Sequence, residues 1–182
     1  MLRMPALACA LTLSAALALS AAISLAVSPA ITPAMAQDVE STTLPPYGPA
    51  ITLDQAKRVM AAAELVAAEN TWQVAITILD SGGNLVMFDK IDNAQLTSIG
   101  ISQGKALTAL QFKRPSKDLD VAIARGGAGD RLLALRNITP IEGGLPIILD
   151  GKVIGAIGVS GAISAQDTQV AKAGIAALTQ SQ

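Results

Sequence analysis

The chain has 182 residues, with 13 Lys and Arg against 14 Asp and Glu, a net charge of −1, no histidine and one cysteine. That balance attracts neither nucleic acid nor an anionic membrane, and one Trp, one Tyr and two Phe give bases little to stack on. Without imidazole, Ser-His-Asp and Cys-His catalysis, His-held zinc and His-ligated haem are all excluded.

Residues 1–36 read as an export signal. Arg3 sits beside the amino terminus, residues 6–28 carry no charge, and Ala34 and Ala36 flank Met35 as small residues before a cleavage site at Gln37. An uncleaved anchor is the alternative, because the apolar run approaches the length of a bilayer span. Cleavage removes Cys9 and leaves 146 residues, one ordinary domain with neither disulfide nor thiolate metal site and no stable membrane span. Residues 37–50 hold Pro45, Pro46 and Pro49 and read as an extended leader free to dock on a neighbour.

The domain proper spans 51–182. Thr52 and Gln55 make a capping box for a one-sided helix whose inner face is Leu53, Ala56, Val59, Met60, Ala63, Val66 and Ala67. Gln73–Leu79 and Leu85–Phe88 flank the turn Asp80-Ser81-Gly82-Gly83-Asn84 as a hairpin. Residues 94–112 predict a second helix ended by Pro115, and Ser116 caps a short third one to Arg125, broken by Gly126-Gly127. Residues 131–135 are open between helix and strand. Leu145–Leu149, the Asp150-Gly151 turn and Lys152–Val159 form a second hairpin. Ser164 and Asp167 read as a second capping box, opening a helix from Ala165 to about Gln180. Two hairpins set among helices predict an α+β fold with a central antiparallel sheet.

Residues 141–162 carry six glycines, and their spacing invites a phosphate-binding reading. Gly155, Gly158 and Gly161 lie within and at the end of a strand, however, and not in a strand-to-helix turn. Close approach of a neighbouring backbone or helix explains them better.

The 94–112 helix is the candidate site. Leu96, Ile99, Ala106, Leu107 and Leu110 form the expected core stripe, and Ile101, Ala109 and Phe112, interleaved with Ser98, Lys105 and Thr108, make a second apolar side. Two apolar sides need two covers: the sheet, and a subunit, a ligand or the leader. Gly100 and Gly104 leave a groove there. Lys105 and Thr108 are neighbours one turn apart; Lys113, Arg114 and Arg125 can hold an anionic group; Glu142 stands before Gly143 and Gly144 in a loop between two prolines.

Three ordered motifs resemble the GlcG/HbpS-like family of haem-binding proteins: V-x-I-x-I-x-D-S-G-G-N-L-V at 74–86, K-A-L-T-A-L-x-F at 105–112 and E-G-G-L-P-I-x-x-D-G-K-V-I-G-A-I-G-V-S-G-A at 142–162. The resemblance covers nearly all of 51–178. It implies a central antiparallel sheet flanked by helices in a profilin-like or roadblock-like layout, homo-oligomeric assembly, and a haem or related tetrapyrrole as ligand. It places the ligand at Lys105 and Thr108, with Thr108 as a weak axial contact, Phe112 packing on the ring, Lys113 or Arg114 near the propionates, and Glu142, Gly143 and Gly144 as further candidates. Lacking histidine, the chain would turn to the Thr108 oxygen, Met60, Met87, Tyr47 or Lys105 for the iron. A small-molecule-binding protein without catalytic residues is the leading reading. An accessory enzyme of small oxygenated-carbon or redox metabolism and a purely structural homo-oligomer are its rivals.

Overall fold

The computed structural model describes residues 43–179; the expected signal segment, its cleavage site and the start of the leader lie outside the described residues. The order is α1 (Leu53–Glu69), β1 (Ala75–Asp80), β2 (Leu85–Lys90), α2 (Leu96–Phe112), α3 (Ser116–Ala124), a 3-10 turn (Gly127–Ala134), β3 (Gly144–Leu149), β4 (Lys152–Ser160) and α4 (Ser164–Thr179). The sheet runs β2-β1-β4-β3, every pairing antiparallel, so the two hairpins meet along β1 and β4. This is the α+β layout expected, with helices on both faces. Among the described residues no helix is long and apolar enough to cross a membrane.

On one face, α1 and α4 cover Ile76, Ile78, Leu145, Ile147, Ile154, Ile157 and Val159. The Thr52–Gln55 capping box closes α1 with bonds of 3.2 and 2.9 Å. A Cβ on Gly174 of α4 would stand 2.8 Å from the Val59 carbonyl oxygen, so that glycine lets the two helices touch. At the edge of this layer, a hydrogen bond to Asp89 of β2, partial burial and the Asp89 charge together push Glu64 up from 4.5 to about 7. The folded value lies above the unfolded one, so this contribution to stability is fully present below 4.5 and is lost as pH rises through about 7. Glu64 is half-buried, and solvent screening cuts the effect to on the order of 1 kcal/mol. Denaturation midpoints at pH 5 and pH 8 should fall for the wild type and stay level for Glu64→Gln; equal slopes would show that the two carboxyls do not interact.

On the other face lies α2, and here the expected stripe holds in part: Ala106 and Leu110 face inward and Leu107 packs beside them, but small and polar residues fill the rest. Leu96 is 83% exposed, Ile99 and Leu107 are half-buried, and the side against the sheet is Ser98, Ser102, Lys105, Ala106, Ala109 and Leu110. The sheet explains it. Gly158 pairs with Thr77 on this face, and its missing side chain lets the small residues of α2 sit directly on the strand. Polar atoms in this thin layer satisfy one another: Ser102 donates to the Ile99 carbonyl, and the Thr77 hydroxyl meets Ser102 at 2.9 Å.

Both turns follow their sequences. Asp80 Oδ1 accepts from the Gly82 and Asn84 N–H groups at 2.8 and 2.9 Å, and Asp150 and Gly151 take φ of 50° and 70° as a type I′ hairpin requires. Two caps differ from expectation. Ser116 lies inside the first turn of α3, after the cap residue Pro115, and its hydroxyl bridges the Ile141 carbonyl and the Gly144 N–H. The expected Ser164–Asp167 box is not made: Gln166 accepts from the Ile163 N–H instead, and Asp167 turns to other partners. The open segment 131–135 is mostly 3-10 turn. The described part of the leader, from residue 43 on, docks on its own domain. Pro46 and Gly48 bond Val153, and Ile51 bonds Ile154, filling the side of β4 that β1 leaves vacant beyond Gly155.

Candidate functional site

Lys105 is the sole charged residue of α2 and it is buried, 1% exposed. Its Nζ donates to Asp167 Oδ2 at 2.8 Å and to the Val159 carbonyl at 2.9 Å. The pair joins the helix layers on opposite faces of the sheet by passing around the sheet's end. Gly143 makes room: its φ is 123°, and a Cβ there would lie 2.8 Å from Lys105 Nζ and 2.9 Å from Asp167 Cβ. A Cβ on Gly144 would collide with the Lys105 carbonyl oxygen. Asp167 Oδ1 also accepts from the Ala162 N–H at 3.1 Å. Burial pushes the Asp167 carboxyl above its ordinary value, against the opposing pull of Lys105 and that N–H.

Thr108 is likewise enclosed, 0% exposed, and its hydroxyl accepts from the Thr139 N–H at 2.7 Å. Lys105 and Thr108 therefore do not form a polar pair awaiting a ligand, as the helical pattern suggests. Each has a partner inside the chain, and removing either group acts on folding first. Gly143 and Gly144 serve this packing. Glu142 turns outward, 3.2 Å from Lys117 and 3.3 Å from the Thr168 hydroxyl, and borders a separate polar pocket of about 220 Å3. The Gly100–Gly104 groove exists, at about 420 Å3, but no cation lines it, and the Thr139 side chain occupies the space beside Gly104.

The C-terminus of α2 gathers the rest. Lys113 ends the helix in the left-handed conformation, φ 52°, and the Arg114 N–H reaches back to the Ala109 carbonyl, the wrap in which glycine is usual. Holding a lysine there costs about 1 kcal/mol. Tyr47 of the leader donates to the Leu110 carbonyl at 2.9 Å, and Lys113 Nζ lies 4.8 Å above its ring. Phe112, half-buried, gives its carbonyl to Arg114 Nε. Between leader and helix end, along the free edge of β3, runs a groove of about 590 Å3 walled by Leu44, Pro45, Leu145, Pro146, Ile148 and Ile175. Lys113 and Arg114 stand in its lining, and among the described residues neither is in an ion pair. Asp118 lines it too, in the first turn of α3 where the helix dipole offsets its charge. Pro146 keeps this edge from pairing with another strand.

The groove joins apolar wall to Lys113 and Arg114, two cations that no ion pair among the described residues holds, and comparison with known proteins decides the family. The family described as haem degrading protein HbpS-like matches residues 51–176. The chain belongs to the HbpS-like family. It is 37% identical over 110 residues to protein GlcG of Escherichia coli K12, covering 60% of this chain and 81% of GlcG. Its fold superposes on the Klebsiella pneumoniae protein ORFY with a TM-score of 0.71 at 31% identity, covering 74% and 94% of the two chains. It also superposes on the PduOC:heme complex with a TM-score of 0.66 at 27% identity, covering 70% and 94%.

The described residues meet a haem unevenly. The groove suits a flat apolar ring, and Lys113 and Arg114 suit propionates. The iron is not served. Lys105 and Thr108 are occupied inside the fold, Met60 is 2% exposed and Met87 packs on the same α1–α4 core. Tyr47 spends its hydroxyl on the Leu110 carbonyl. Among the described residues, no three of His, Cys, Asp and Glu stand close enough to hold a metal ion.

The sequence reading named Lys113 and Arg114, which line the groove, but it missed Asp167, hidden in an apparent capping box, and the leader's part in the groove wall. One signal for the ion pair was available: a 17-residue helix bearing a single charge asks what that charge is paired with.

Proposed function

We propose that this is an exported tetrapyrrole-binding protein that holds haem, or a close relative of it, in the groove along β3. The observation that carries the reading is the pairing of an apolar groove of about 590 Å3, a usual size for a small-molecule site, with two cations at its end that no ion pair among the described residues holds. The family and the haem complex of PduOC support it.

Haemin titration of the purified chain should give a Soret change that saturates near one haem per subunit. Lys113→Gly is the most informative variant: it removes the charge while relieving the left-handed strain, so the fold should hold or gain. Together with Arg114→Ala it should weaken haemin by about tenfold, two solvent-screened contacts of under 1 kcal/mol each. The charge-matched control, Lys57→Ala with Arg58→Ala on the exposed side of α1, should titrate like the wild type. An unsaturable rise, or a double variant indistinguishable from the control, removes the groove from the function.

We further infer a homo-oligomer. Leu96 and Ile163 are 83% and 67% exposed, and an association that covers them would take their apolar surface out of water. Light scattering should give a mass well above one subunit; a single-subunit mass refutes it.

A further inference from the structure

We infer that the groove recognises its ligand by the apolar ring faces and the ring-edge carboxylates, and not through the metal at the ring centre. Metal-free porphyrin dicarboxylates should therefore bind as tightly as haem. This rests on the proposed function and narrows its ligand class to flat tetrapyrroles with carboxylates on one edge, with or without a metal.

The argument starts from the donors that hold haem iron in proteins: imidazole, thiolate, thioether and phenolate. The chain has no histidine, and its one cysteine is Cys9, outside the described residues. Both described methionines face the α1–α4 core. The one phenol, Tyr47, donates to a helix carbonyl, and ligation would have to break that bond and strip the contact with Lys113 above the ring. The heteroatom side chains of the groove itself are Thr43, Lys113, Arg114 and Asp118. A hydroxyl and a carboxylate are weak partners for haem iron. Lysine and arginine side chains enter hydrogen bonds as donors only, so Lys113 and Arg114 suit the carboxylates and not the iron. What the groove offers a ligand is apolar wall and positive charge. Leu44 and Pro45 come from the leader, Ile148 from the β3 edge and Ile175 from α4, so three separate elements supply the surface for a ring while two adjacent residues supply the charge. Such a site measures shape and carboxylates.

The test compares three ligands on the purified chain: haemin, metal-free protoporphyrin IX and protoporphyrin IX dimethyl ester. The fluorescence of the metal-free ring and quenching of Trp72, the sole tryptophan, report binding independently of the iron spectrum. Haemin and the free-base ring should agree within about threefold, and the diester should bind at least about tenfold more weakly. Lys113→Gly with Arg114→Ala should weaken haemin and the free-base ring by the same factor and leave the diester unchanged. If haemin binds about tenfold or more tightly than the free-base ring, an iron ligand exists, from this subunit or from another copy, and the inference is overturned while the haem reading stands. If neither ring saturates, or the cation variants alter neither, the groove reading itself fails.

Discussion

Replacing Asp167 with alanine should cost the fold about 3–5 kcal/mol, because it leaves the Lys105 ammonium in the interior without its counter-charge. The environment allows little relief. Lys105 is 1% exposed, its other bond is to the Val159 carbonyl, and Gly143 and Gly144 press their backbones against the same space. The Ala162 N–H loses its acceptor as well. Urea unfolding of wild type and Asp167→Ala measures the loss. Lys105→Met combined with Asp167→Asn should regain most of it, since a neutral pair of similar shape removes the stranded charge and keeps an acceptor for Ala162. A single variant that loses under about 1 kcal/mol would mean that water or another group reaches Lys105, and the interior layer would have to be looser than its packing indicates.

The hairpins, the helices and their order were legible because each rests on local signals. Thr52 with Gln55, Asp80 with Asn84 and Asp150 with Gly151 all act within five residues, and the structure uses each as its chemistry suggests. What was hidden depends on distant contacts. The inner face of α2 cannot be read from hydrophobicity alone, because Gly158, 56 positions beyond Ser102, determines that the small residues Ser102 and Ala106 sit directly on its strand. Lys105 looked like a ligand contact because its partner is 62 residues away and sits in a segment with a competing local reading. Lys113 and Arg114 were legible as candidates because a helix end beside a proline leaves little for two adjacent cations to pair with. Their groove was not, since one wall is the Pro-rich leader, whose docking along β4 appears only once β1 is seen to stop at Asp80. The K-A-L-T-A segment and the E-G-G loop thus assemble the interior, and the charge that faces the groove lies just past that motif, at Lys113 and Arg114.

The second large effect belongs to Gly158. Alanine there puts a Cβ against the Ser102 carbonyl oxygen and 2.5 Å from the Ala106 nitrogen. Both are backbone atoms of α2, so no side-chain rotation clears the space and the helix itself has to lift. Lifting it separates Thr77 from Ser102 and draws Lys105 away from the Val159 carbonyl, so overpacking and lost hydrogen bonds act together. A cost of at least about 3 kcal/mol is expected, the upper end for one added methyl in a packed core. The contrast is Gly100→Ala on the same helix, where nothing lies within 4 Å of the new Cβ and relief of glycine's backbone entropy should stabilise by about 0.5–1 kcal/mol. Guanidinium unfolding of both variants separates the two faces of α2 directly. If Gly158→Ala proves as stable as the wild type, the helix does not rest on that strand, and the close seating that makes Lys105 an interior residue falls with it.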